Sequence, residues 1–218
     1  CGLARWLGLL LLFALCAATA EPDTNIIVIM TDDQGRWSLG EYDQRILTPN
    51  INYLARQGVR FDQAISSTPV CSAARASLYT GKTASQHGVH DFLSDEDSES
   101  SEWLAGETLI SELLSDRGYR VGLFGKWHAP TQGWKPVRGF DRWLTYDERV
   151  ADWINQYQHS GTVYFSSDGE GVSHTGVQAR FLSESAVEFI DSADGQPFAA
   201  FVNFVEPHFP FKGLPERL

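Results

Sequence analysis

Cysteine is scarce in this 218-residue chain: there are 3, and two of them, Cys1 and Cys16, sit near the start. Beyond residue 20 only Cys71 remains, so that stretch cannot close a disulfide within itself. Basic residues are also few. Lys and Arg number 17 against 28 Asp and Glu, a formal net charge of -11. That balance argues against a nucleic-acid partner, because phosphate binding needs a basic face. It leaves room for a local cationic pocket that takes a small anion.

Long apolar runs are missing too, apart from one. "CGLARWLGLLLLFALCAATA" has Arg5, an apolar middle and the small-residue end Ala18-Thr19-Ala20. The run is too short to span a bilayer and reads as a secretory leader over residues 1–20, with Glu21-Pro22 opening the mature chain. The expectation is an exported protein (periplasmic, extracellular or lysosomal according to host) without a stable membrane anchor. The chain starts with Cys1 rather than Met, which reads as an incomplete beginning. There is no N-x-S/T acceptor, no internal repeat and no low-complexity linker. Hydrophobic residues make up 43% and charged ones 21%, which places the rest among ordinary globular chains.

What is present alternates. "TNIIVIM" (24–30) is a short apolar run rich in β-branched residues and predicts a buried parallel strand. Thr48-Pro49 opens a helix with Ile51, Leu54 and Ala55 on one face and Gly58 as its stop. A short strand is predicted over 59–66, and a helix over "SAARASLYTG", entered from Thr68-Pro69-Val70-Cys71. An acidic tract (94–103) reads as a solvated loop. A helix over 107–118, a strand over 119–125, an irregular aromatic stretch to about 172, a helix over 176–193 and a strand over 197–205 complete the pattern. Strands alternating with helices predict an α/β fold, a mixed, mostly parallel central sheet with helices on both faces.

In such sheets ligands gather beyond the carboxyl ends of the strands. Three predicted strand ends carry reactive residues: Asp32 and Asp33, then Lys126 and His128, then His208. Adjacent carboxylates repel unless a cation neutralises them, so "TDDQG" is either a turn or a seat for a hard divalent ion. Lys126 and His128 alternate on an extended segment and can share a side; each could equally be structural. His208 is held between prolines in "EPHFPF". Cys71, at a helix start with Arg75 four residues on, has either a lowered pKa and a reactive thiol, or the plain role of a small buried hydrophobe.

Taken together these segments resemble the sulfatase family of the alkaline-phosphatase-like superfamily. Cys71-Ser72-Ala73-Ala74-Arg75 followed by Thr80-Gly81-Lys82 is similar to the family's C-x-P/A-x-R and T-G-[RK] motif. "TDDQG" matches its metal-binding segment, "GKWH" its Gly-Lys-x-His segment and "EPHFPF" its Pro-His-x-Pro segment. The resemblance covers about residues 24 to 218. It departs at Ala73-Ala74, where many relatives have Pro-Ser.

The resemblance implies a specific chemistry. Cys71 would be a precursor, oxidised by a formylglycine-generating enzyme to formylglycine (3-oxoalanine). Asp32, Asp33 and the modified residue 71 would hold one Ca²⁺. The hydrated aldehyde would attack sulfur to give a sulfated enzyme. Arg75 and Lys126 would stabilise charge, and His128 would take a proton from the second hydroxyl to release sulfate. His208 would contact the sulfate or protonate the leaving oxygen, and Lys82 would link to the modified side chain. His87 and His90 are placed near the mouth. The substrate would be a sulfated carbohydrate or an aryl sulfate.

The family takes further metal ligands from a later segment, so residues 21–218 would be the N-terminal part of a catalytic domain, with little activity alone. The rival readings are a phosphonate monoester or phosphodiester hydrolase of the same superfamily, a catalytically inactive secreted glycan-binding protein, and a thiol enzyme using unmodified Cys71.

Overall fold

The computed structural model describes residues 24–94, 104–129, 133–147, 149–150 and 158–211. The expected leader lies outside these residues, as does the acidic tract apart from Ser94. The elements run β1 (Ile26–Met30), α1 (Pro49–Gln57), α2 (Cys71–Thr80), α3 (Ala84–His87) and α4 (Ile110–Ser115), then β2 (Arg120–Gly125), β3 (Arg142–Tyr146), β4 (Ser160–Ser167), β5 (Glu170–Val177), α5 (Gln178–Asp191) and β6 (Phe198–Asn203). The strands form one sheet in the order β1-β6-β2-β3-β4-β5. The first four are parallel, and β4 is antiparallel to both its neighbours.

The period-two alternation of the central strands sorts their side chains into two cores. Val121, Leu123, Ala199 and Phe201 face one core, with Ala73, Ala76 and Tyr79 of α2 packed there. Phe124, Ala200 and Val202 face the other, with Leu182, Ala186 and Phe189 of α5. Helices therefore cover both faces of a mixed, mostly parallel sheet, as the alternating pattern predicts.

Four local expectations are corrected. No strand forms over 59–66, where Val59, Phe61 and Ile65 are exposed. The apolar run 24–30 is only half-buried. Ile26 and Val28 pack on the first core, whereas Ile27 and Ile29 are exposed, because β1 is the sheet edge and no described helix lies over its second face. The helix expected over 107–118 contracts to α4. The stretch read as irregular holds β3 and the β4–β5 hairpin. Its turn is Asp168-Gly169, at φ 53° and 95°, the two-residue geometry that Asp-Gly favours. Helix α1 forms with Pro49 in its first turn, but none of its residues is buried. No described helix is long and apolar enough to cross a membrane.

Candidate active site

Strands β1, β6 and β2 are parallel neighbours, so their carboxyl ends open on one edge of the sheet. Each end leads at once into a reactive segment: Asp32-Asp33 after β1, Lys126-Trp127-His128 after β2 and Glu206-Pro207-His208 after β6. The Asp32 N–H donates to the Glu206 carbonyl, tying two of the segments together. Helix α2 starts at Cys71, and Gly81, at φ 68°, closes it.

Asp32 is the hub. Lys126 Nζ lies 2.5 Å from its Oδ2, and Arg75 Nη2 lies 3.7 Å from its Oδ1. The Cys71 thiol donates to the same Oδ1 at 3.5 Å. Both cations are buried, at 1% exposure for Lys126 and 2% for Arg75. Burial alone pushes the Asp32 carboxyl up, but Lys126 and Arg75 more than offset it and hold it below the usual carboxylate range. Two buried cations against one buried carboxylate leave an excess of positive charge beside the partly buried Cys71, which favours an anion.

Cys71 corrects an expectation. The helix start and Arg75 predict a lowered thiol pKa, yet the thiol is pushed up. Burial is the largest cause, and the Asp32 carboxylate adds to it against the opposing charges of Lys126 and Arg75. Arg75 spends its best hydrogen bond elsewhere, donating to the Lys126 carbonyl at 2.6 Å.

His128 stands at φ 42°, a strained value for a non-glycine residue and one that collects at functional sites. Its Nε2 bonds the Leu93 carbonyl at 3.2 Å, so Nε2 carries the hydrogen. Nδ1 is then a buried acceptor without a hydrogen-bond partner among the described residues. Burial first, then Lys126 and Arg75, lower the ring's pKa to about 3. The ring is neutral at ordinary pH. His208 Nε2 lies 3.6 Å from Asp33 Oδ2, and its Nδ1 bonds the Phe209 carbonyl. Ligand atoms of Asp32, Cys71 and His208 all fall within 4.8 Å of one another.

The sequence-predicted residues Asp32, Cys71, Arg75, Lys126 and His208 are thus brought together, with Asp33 on His208 and His128 in the field of the same cations. Lys82 is not. It lies past the far end of α2, where its ammonium pairs with Glu107 at 2.5 Å. His87 is buried, with Nε2 on Ser77, and His90 is exposed. The contacts of Asn203 and Tyr79 with the Lys126 segment were not legible, because the strand ending at Asn203 reads simply as apolar.

The comparisons with known proteins follow the same lines. The family model described as Sulfatase matches residues 24–217. The chain belongs to the sulfatase family. It is 31% identical over 204 residues to the ulvan-active sulfatase of Formosa agariphila, covering 88% of this chain and 37% of that protein. It is 40% identical over 146 residues to steryl-sulfatase of Rattus norvegicus, covering 60% and 25% respectively. Among solved structures, BT4656 in complex with its substrate D-glucosamine-2-N,6-O-disulfate superposes with a TM-score of 0.70 at 25% identity, over 84% of this chain and 34% of that one. Ps i-CgsB in complex with k-i-k-neocarrahexaose also gives 0.70, at 27% identity, over 85% and 46%. The chain thus spans less than half the length of each of these relatives.

Proposed function

We propose that this chain carries the anion pocket of a sulfuric ester hydrolase that releases inorganic sulfate from a sulfated substrate. The observation that carries the reading is Cys71 as the first residue of α2, its thiol on Asp32 beside buried Arg75 and Lys126. A sulfate ester brings the negative charge this pocket lacks. Arg75 and Lys126 bind its oxygens and the charge that grows on them during transfer. One such preorganised contact is worth about 10²–10³ in kcat. His128 holds a proton acceptor at Nδ1, and His208 presents Nε2 to the leaving oxygen, able to protonate it only as the imidazolium because its Nδ1–H is taken by the Phe209 carbonyl.

Residue 71 acts as formylglycine, made from Cys71 by a formylglycine-generating enzyme, and its hydrated aldehyde supplies the nucleophilic oxygen. The raised thiol pKa supports a precursor role over direct use as a thiolate. Asp32 and Asp33 offer the hard carboxylate oxygens that calcium takes, about 6–8 in all, although only Asp32 falls in the converging group with Cys71 and His208, Asp33 lying on His208. Sulfur and imidazole nitrogen fit it poorly, but an oxygen in place of Sγ makes residue 71 a suitable ligand too. When bound, the ion supplies Lewis-acid charge to the sulfate oxygens. The glycan ligands named for BT4656 and Ps i-CgsB support a carbohydrate sulfate as substrate. The leader read over residues 1–20 supports export.

The test uses the full-length protein of which this chain spans a part, made beside a formylglycine-generating enzyme and supplied with calcium and 4-nitrophenyl sulfate. Sulfate is expected to be released, to stop with a calcium chelator and to return on adding calcium. Cys71→Ala should abolish it. Faster turnover of the matching phosphonate ester would move the assignment to a phosphonate hydrolase, and no release from a fully converted protein contradicts both.

A further inference from the structure

Lys126 is buried at 1% exposure with its ammonium on Asp32, and its backbone is held from both sides. It follows Gly125, which stands at φ +107° opposite Asn203, the last residue of β6. The Lys126 N–H donates to the Asn203 carbonyl at 2.8 Å. The Asn203 amide Nδ2 donates to the Lys126 carbonyl at 3.0 Å. One residue therefore grips the peptide groups on both sides of the Lys126 Cα, which fixes the direction of its Cα–Cβ bond. The same amide Nδ2 reaches the Tyr79 hydroxyl at 2.7 Å, and Arg75 Nη1 shares the Lys126 carbonyl. Asn203 and Tyr79 are fully buried. A strand could end here with any apolar residue and keep the first of these bonds. Only a side-chain donor supplies the second.

We infer that Asn203, braced by Tyr79, is a positioning residue that aims the Lys126 ammonium at Asp32 and residue 71. It touches no substrate and acts through Lys126. The inference rests on the reading above in that Lys126 serves the anion pocket.

The test reads Lys126 through its charge on Cys71 and needs no turnover. The protein is made without a formylglycine-generating enzyme, so that position 71 stays a thiol. Iodoacetamide alkylation is followed against pH on the tryptic peptide covering residues 61–75, in which Cys71 is the single cysteine. The Lys126 charge favours the thiolate. Lys126→Ala should therefore raise the midpoint of the profile and slow alkylation at pH 8 about 3- to 10-fold. Asn203→Ala should raise the midpoint in the same direction, and Tyr79→Phe should do so more weakly.

In the Lys126→Ala background neither substitution should raise it further. A merely loosened core moves the midpoint the other way, because added solvent favours the thiolate. An unchanged or lowered midpoint in Asn203→Ala, or an additive rise in the double variant, overturns the inference. If Asn203→Ala does not fold, Tyr79→Phe is read by the same rule. Failure of the sulfatase reading appears separately, as converted wild-type protein that releases no sulfate.

Discussion

At the residue scale the pocket is a balance of buried charges, and removing one member exposes the rest. Lys126→Ala leaves the Asp32 carboxylate buried with Arg75 as its one remaining ion-pair partner among the described residues. It should destabilise the fold by about 3–5 kcal/mol, measured by urea denaturation. A loss below about 1 kcal/mol would show that Asp32 does not depend on it. His128 gives a pH signature. Its folded value is about 3 against an ordinary 6.5, so between these values the unfolded chain binds the proton more tightly. The stability it contributes is complete above pH 6.5 and is lost as pH falls toward 3. His128→Asn should flatten part of the fall in urea midpoint between pH 6.5 and 4; parallel curves would contradict the assignment. Most of the pocket was legible because each residue type was chemically conspicuous at a strand end or, for Cys71 and Arg75, at a helix start. The raised thiol pKa of Cys71 was not, since it depends on burial and on Asp32, which is 39 positions away in sequence. Nor was the displacement of Lys82, because a motif gives spacing but not the partner that captures a side chain.

At the element scale the junction of β2 and β6 bears the site. A Cβ added at Gly125 would lie 2.0 Å from the Asn203 carbonyl oxygen, at a φ that L residues rarely adopt. Gly125→Ala should therefore cost about 3 kcal/mol or more and detach the Lys126 segment from β6. A thermal midpoint equal to wild type would contradict that placement. Strands β2 and β6 and helices α2 and α5 were readable from periodicity and end signals such as Gly81. The hairpin of β4 and β5 was missed although Val163 and Phe165 alternate with exposed Tyr164 and an Asp-Gly turn follows. The aromatic richness of that stretch masked its period. The strand expected over 59–66 shows the reverse error. Its apolar residues have the composition of a strand, but no neighbouring strand among the described residues pairs with them.

At the scale of the whole molecule, two cores sandwich the sheet, while its β1 edge keeps one apolar face exposed. The contrast is measurable. Phe201→Ala empties a position at 1% exposure and should cost about 3–5 kcal/mol, whereas Ile29→Ala, at 60% exposure, should change stability little. Equal losses in the two variants would overturn this picture of the sheet. The central claim concerns function, and the mass of the tryptic peptide covering residues 61–75 tests it most directly. From protein made beside a formylglycine-generating enzyme, the account predicts a peptide lighter than the cysteine form, in which an aldehyde has replaced the thiol and reacts with hydrazides. An intact thiol on a protein that nonetheless releases sulfate would contradict it.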